Sequence, residues 1–154
     1  MRTSELVTGR SVVVVLEQGE EVLSSVRRAC AEHGIAQGFV PVLSGAFREV
    51  ELIAAHTPVD DEEPPLPQSV VVRYAEGTGN GTVMFDEDSG AGEPHLHLAV
   101  GVKNDGGAGY AGHVVSAVAH YTVEVVVTEV LSPVLARVAD PGAYGIPTLH
   151  PRHG

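Results

Sequence analysis

His95 and His97 stand one residue apart in Gly92-Glu93-Pro94-His95-Leu96-His97-Leu98, and His113 follows sixteen residues after the second. An extended strand sends residues i and i+2 to the same face, about 7 Å apart at Cα, so two imidazoles at this spacing can converge on one ion. Leu96 and Leu98 then point to the opposite, buried side. A hairpin-like return through the glycine-rich Asn104–Gly112 segment brings His113 back beside the pair, and Gly112 lets the backbones approach closely. Three neutral imidazoles suit zinc, with bonds of about 2.0–2.1 Å, and also nickel, copper or ferrous iron. With three protein ligands a fourth position stays open to water, a substrate or a carboxylate, the arrangement that acidifies water for hydrolysis or hydration. Glu93 and Glu124 are the candidate carboxylates, as ligands, as acceptors for an imidazole N–H, or as catalytic proton acceptors.

The other histidines carry less. His120 lies seven residues beyond His113 as a lateral ligand candidate, but an ordinary surface or packed imidazole accounts for it better. His33, His56, His150 and His153 are assigned no role. Rival motifs fail on inspection. Gly77-Thr78-Gly79-Asn80-Gly81-Thr82 superficially resembles a phosphate loop, but no Lys follows and no helix pattern begins, so it reads as a turn. A cupin would place Glu four or five residues after the second His, where Gly101 and Val102 stand. No serine sits in a Gly-x-Ser-x-Gly elbow.

The elements that must position these residues are mostly strands. Valine supplies 27 of 154 residues against three Phe, four Tyr and no Trp, a β-branched bias. Ser11–Leu16 is a short apolar run typical of a buried strand. Glu20 and Glu21 then place negative charge at a helix start, and Val22, Val26, Ala29, Cys30 and His33 recur at helical spacing up to Gly34. Residues 20–33 therefore form an amphipathic helix, with Arg27 and Arg28 on its other side and Cys30 as a small core residue. Gly38–Leu43 and Ala46–Ala55 read as strands separated by Ser44-Gly45. Four prolines and four acids between His56 and Pro67 make a solvated loop; its acids are an exposed charge run, not a metal cluster. Gln68–Tyr74, Gly81–Phe85 and His95–Val102 follow as strands, and Val123–Val127 as another. Val114–Ala119 reads equally as strand or short helix. From Ser132 the chain, broken by Pro133, Pro141 and Pro147, is expected to run irregularly over the surface. The whole is one α+β domain over residues 1–154, a mainly antiparallel sheet with one principal amphipathic helix.

Charge excludes some partners. Twenty acids against nine bases give a net −11, a poor start for holding phosphate backbones. No apolar run approaches the 18 residues of a membrane span, and Met1–Ser4 does not lead into a signal-peptide core. The single cysteine forms no internal disulfide, in keeping with a reducing cytoplasm or an indifferent compartment.

Taken in order, Gly19-Glu20-Glu21, His33-Gly34-Ile35, Leu43-Ser44-Gly45-Ala46, Gly92-Glu93-Pro94-His95-Leu96-His97, Gly112-His113, Thr122-Val123-Glu124-Val125 and Arg137 with Asp140 and Gly145 resemble the plant and prokaryote conserved (PPC) domain, over nearly the whole chain. That is the domain of unknown function attached to AT-hooks in plant proteins. The resemblance implies an antiparallel α+β fold, a homotrimer, and a metal, usually zinc, held by the histidines matching His95, His97 and His113 near subunit boundaries. It also raises a DNA-binding or regulatory role as the alternative. Here, however, no Arg-Gly-Arg-Pro hook is present, and basic residues cluster only at Arg27-Arg28. The Ala108–Gly112 run also replaces the tighter Gly-Gly that often precedes this histidine in the family.

Overall fold

A computed structural model describes residues 1–54, 68–86 and 91–152. It consists of β1 (Val7–Leu16), α1 (Val22–His33), β2 (Gly38–Ile53), β3 (Ser69–Asp86), β4 (Ala91–Val102), β5 (Gly109–Ser132), β6 (Val134–Ala139), a 3-10 turn (Pro141–Ala143) and β7 (Pro147–Arg152). The main sheet runs β1-β5-β2-β3-β4, and β4 pairs again with β5, so four of its strands close on themselves. All its named ladders are antiparallel. The expected acidic loop at 56–67 lies outside the described residues.

The 24-residue β5 makes the closure. Its first residues pair with β4, its middle with β2, and its last third with β1. Register shifts along the β2 ladder mark where it bends from one neighbour to the next. The Val114–Ala119 stretch is thus strand. Its Val114, Ala117 and Ala119 turn inward with residues of β2 and β3 into one core that includes Phe47, Val50, Leu52, Val83, Leu96, Val123 and Val125. The helix covers this core with Val22, Val26 and Cys30, all essentially inaccessible. It starts at Val22, because Glu21 is its N-cap and accepts hydrogen bonds from the backbone N–H of Leu23 at 3.1 Å and Ser24 at 2.7 Å. Gly34 ends it in the left-handed conformation. Cys30 is a core residue whose thiol burial pushes up to about 11. No helix among the described residues is long and apolar enough to cross a membrane.

Three expectations are corrected. Ser44-Gly45 does not separate two strands: both residues stay in register with β3 and β5, and β2 runs unbroken to Ile53. Nor is Gly77–Thr82 a turn; β3 passes straight through it. Glycine is needed there because β4 crosses so closely that a Cβ on Gly79 would meet the His97 carbonyl oxygen at 2.2 Å, and one on Gly81 the His95 carbonyl oxygen at 2.1 Å. The tail is not irregular either. Its prolines bracket the β6–β7 hairpin: Pro133 precedes β6, Pro141 opens the 3-10 turn, and Pro147 begins β7. Leu135 anchors the hairpin in a second cluster with Met84 and Val130. The buried Gln37 amide fastens it further: Nε2 donates to the Val130 and Pro133 carbonyls at 3.0 Å each, and Oε1 accepts from the Leu135 N–H at 2.8 Å.

The close β3–β4 crossing makes a graded prediction. Gly81→Val should destabilise the protein by ~1–3 kcal/mol through overpacking, whereas Val at the exposed Asn80 should be tolerated. Urea unfolding of both variants checks this, and a Gly81→Val protein as stable as the parent contradicts the crossing.

Candidate metal centre

The site follows from one ladder. In the β4–β5 pairing His97 is the direct register partner of His113, with Leu98 opposite Gly112. Directly opposed residues hold their Cβ atoms about 4.5–5.5 Å apart. His95, two residues before His97, occupies the same face and reaches His113 diagonally. His113 is also the residue where β5 passes from β4 to β2, since it pairs with Ile53 as well. Gly112 makes that junction possible, because a Cβ there would lie 2.4 Å from the Ile53 carbonyl oxygen. The ring centroids are 4.5 Å apart for His95–His113, 5.2 Å for His95–His97 and 5.6 Å for His97–His113.

These residues fit a divalent cation. One nitrogen from each ring lies within 4.8 Å of the other two. The Nε2 atoms of His95 and His97 are 3.2 Å apart, close to the ~3.3 Å between two ligands of a tetrahedral ion at 2.0–2.1 Å. His113 Nδ1 is buried without a hydrogen-bond partner among the described residues, an orphaned polar atom that a cation or a second imidazole N–H would satisfy. Burial, helped by the positive charge of Arg137 and then by His113 and His97, holds His95 down to about 4. Burial, then His97 and Arg137, lowers His113 as well. Both rings are therefore neutral at pH 7, the form that ligates metals.

The candidate carboxylates end elsewhere. Glu93 shares the strand face of His95 and His97, but Arg27 of α1 takes it in a bidentate pair, Nε to Oε1 at 2.7 Å and Nη2 to Oε2 at 2.5 Å. Both its oxygens are taken up by that pair, and it is not among the clustered ligand atoms. Glu124 is eleven residues along β5 from His113, exposed, opposite Val15 and Ser44 and away from the β4 ladder. The bend of β5 thus carries Glu124 and His113 to different neighbours. His120 also stays apart, its ring edge-on to Tyr74 with centroids 5.4 Å apart.

The histidines open on a cavity of about 840 Å³ whose far wall is the β6–β7 hairpin, including Ile146 and Leu149. A neighbouring cavity of about 500 Å³ shares His95, Arg137 and Pro147 with it. Arg137, on β6, thus stands at the boundary of both. In the sequence Arg137 stands out only through the family resemblance of the C-terminal stretch, because nothing in a proline-broken segment indicates a strand that lines the histidine cavity.

Comparison with known proteins places this geometry. The family model of the Plants and Prokaryotes Conserved (PCC) domain matches residues 3–131. A plant- and prokaryote-conserved protein from Pyrococcus horikoshii superposes with a TM-score of 0.76 at 19% identity, covering 100% of both chains. A metal-containing protein from Archaeoglobus fulgidus gives 0.74 at 21% identity over 97% of this chain and 99% of its own. A protein from Ralstonia eutropha JMP134, whose DNA-binding designation is provisional, gives 0.71 at 19% identity over 90% and 89%. At these identities the likeness is one of fold. A sequence search of curated proteins finds no match.

The neutral histidines predict a pH dependence. A folded-state value of about 4 for His95 lies below the ordinary 6.5 of an unfolded chain. The unfolded state therefore takes up the proton first, and stability present above about pH 6.5 declines as pH falls toward 4. In metal-free protein, imidazole NMR resonances should show His95 titrating near pH 4; a midpoint near 6.5 contradicts the burial.

Proposed function

The chain belongs to the Plants and Prokaryotes Conserved domain family, and from that premise we propose that it is a metal-binding protein whose His95, His97 and His113 hold one zinc ion per chain. One observation carries this reading: the β4–β5 register sets His113 opposite His97 while strand alternation puts His95 on the same face. The name of the Archaeoglobus relative, a metal-containing protein, agrees with it. When bound, a divalent cation supplies Lewis acidity that polarises a carbonyl or acidifies water. The chain's own residues do the rest. The three imidazoles orient toward one point, the hairpin wall shields them on one side, and the Arg27 guanidinium ties Glu93 back toward α1. With Glu93 so engaged and Glu124 on another part of β5, the site suits ligand binding better than hydrolysis.

Homotrimer assembly belongs to the same proposal. Val13 and Val15, 66% and 60% exposed, share the outward face of the edge strand β1, apolar surface that a neighbouring chain would cover. At about 25 cal/mol per Å2 such burial holds subunits together without help from the ion.

The alternative, DNA binding, draws on the designation of the Ralstonia relative. Charge opposes it. Both members of the basic pair are engaged, Arg27 with Glu93 and Arg28 with Glu20 at 2.8 Å, in a chain of net −11. Mobility-shift assays at low salt should show no complex; a complex that weakens steeply with added salt reinstates DNA binding.

Metal analysis after zinc reconstitution should find one equivalent per chain in the parent and a loss of stoichiometric zinc in His97→Ala and His113→Ala. A parent without zinc, or variants that keep it, overturns the site. Light scattering after chelation should still report three chains; dissociation to monomers would make the ion a structural staple instead.

A further inference from the structure

The acids of this chain neutralise most of its described cations within the fold. Arg2 meets Asp140, Arg10 meets Glu129, Arg73 meets Glu49 and Lys103 meets Glu76, besides the two pairs on α1. Arg48, Arg137 and Arg152 have no such pair among the described residues, and of these Arg137 is the one that lines the histidine cavity. Among the described residues no carboxylate or carbonyl accepts from it, although acids outnumber bases twenty to nine. It lines the same cavity as His95, His97 and His113 instead, largely exposed along β6 yet with no acid paired to it among the described residues. A cation on the neutral imidazoles would put a second positive charge on the same cavity wall as Arg137. An anion from solution balances such charge.

We propose that Arg137 is the anion subsite of the histidine centre and selects a small organic acid, its carboxylate on the guanidinium and its carbon skeleton against Ile53, Ile146 and Leu149. The subsite deepens the metal-binding reading and rests on it for the second positive charge. A guanidinium fork takes carboxylate or phosphate alike. The remaining surroundings favour the carboxylate: the hairpin wall is apolar, and net −11 repels more highly charged ligands. A cavity of about 840 Å³ lies within the usual range for small-ligand sites.

Isothermal titration of C3–C6 monocarboxylates, their neutral amides and inorganic phosphate into zinc-loaded and metal-free protein tests the subsite. Zinc-loaded parent should bind at least one acid in preference to its amide and to phosphate. Arg137→Gln should weaken that acid roughly ten- to a hundredfold, the worth of a charged hydrogen-bond pair, while keeping its zinc. Arg137→Lys should recover part of the loss. Failure of every acid to bind, equal binding of acid and amide, preference for phosphate, or undiminished binding to Arg137→Gln each overturns the subsite. Should the parent take up no zinc, the metal reading fails by itself. The metal-free titration then decides the subsite: acid binding that depends on Arg137 upholds it, and absence of binding overturns it.

Discussion

Side chains on a strand alternate, so a ladder can bring two distant residues together in only one register. On the β4–β5 ladder, slipping β5 by one residue would put Gly112 or Val114 opposite His97 and turn the His113 ring to the other face. The rest of the fold can be read as what prevents that slip. Val114 and Ala117 are buried in the core, so a slip would also expose apolar surface and bury polar atoms. Gly112 lets β2 close against the junction, and the glycines of β3 let β4 lie almost on its backbone. Small residues at these points do not loosen the structure. They are the reason three backbones come close enough to fix one face.

How much of this was legible in the sequence depended on the range of the interaction. The His95–His97 pair was readable because alternation is a local property. The helix was readable too, with an error of two residues at its start, since Glu21 acts as its cap and not as its first turn. That His113 returns to the pair could be inferred from the glycine-rich connection, but its register could not, because pairing is decided by the whole of β5. The same limit explains the errors. Glycine at 77, 79 and 81 signals a turn if only neighbours along the chain are considered; it signals close crossing once β4 is in place. Prolines at 133, 141 and 147 suggested disorderly backbone, yet each sits at an element boundary where its missing N–H costs little. Glu93 was placed on the correct face, but Arg27, 66 positions earlier in the chain, decides where its charge goes. Gln37 gave no signal, since a lone Gln after a helix is unremarkable until the hairpin it fastens is known.

The electrostatic design is local and opposite to the global one. An acidic chain carries a pocket lined by three imidazoles, of which burial lowers His95 and His113, and by a guanidinium that pairs with no acid among the described residues. Such a pocket offers lone pairs to a cation and charge to an anion at adjoining points, as we propose. The hairpin that carries Arg137 is therefore part of the site as much as the strands that carry the histidines, and Gln37, by holding that hairpin to the end of β5, couples core packing to the cavity wall.

The central claim is that three imidazoles share one cation. A crystal of zinc-reconstituted protein, measured on both sides of the zinc absorption edge, tests it with a single anomalous difference map. The account predicts one strong peak per chain, bounded by His95, His97 and His113. A map without a peak there, or with its zinc on the surface away from the β4–β5 ladder, contradicts it.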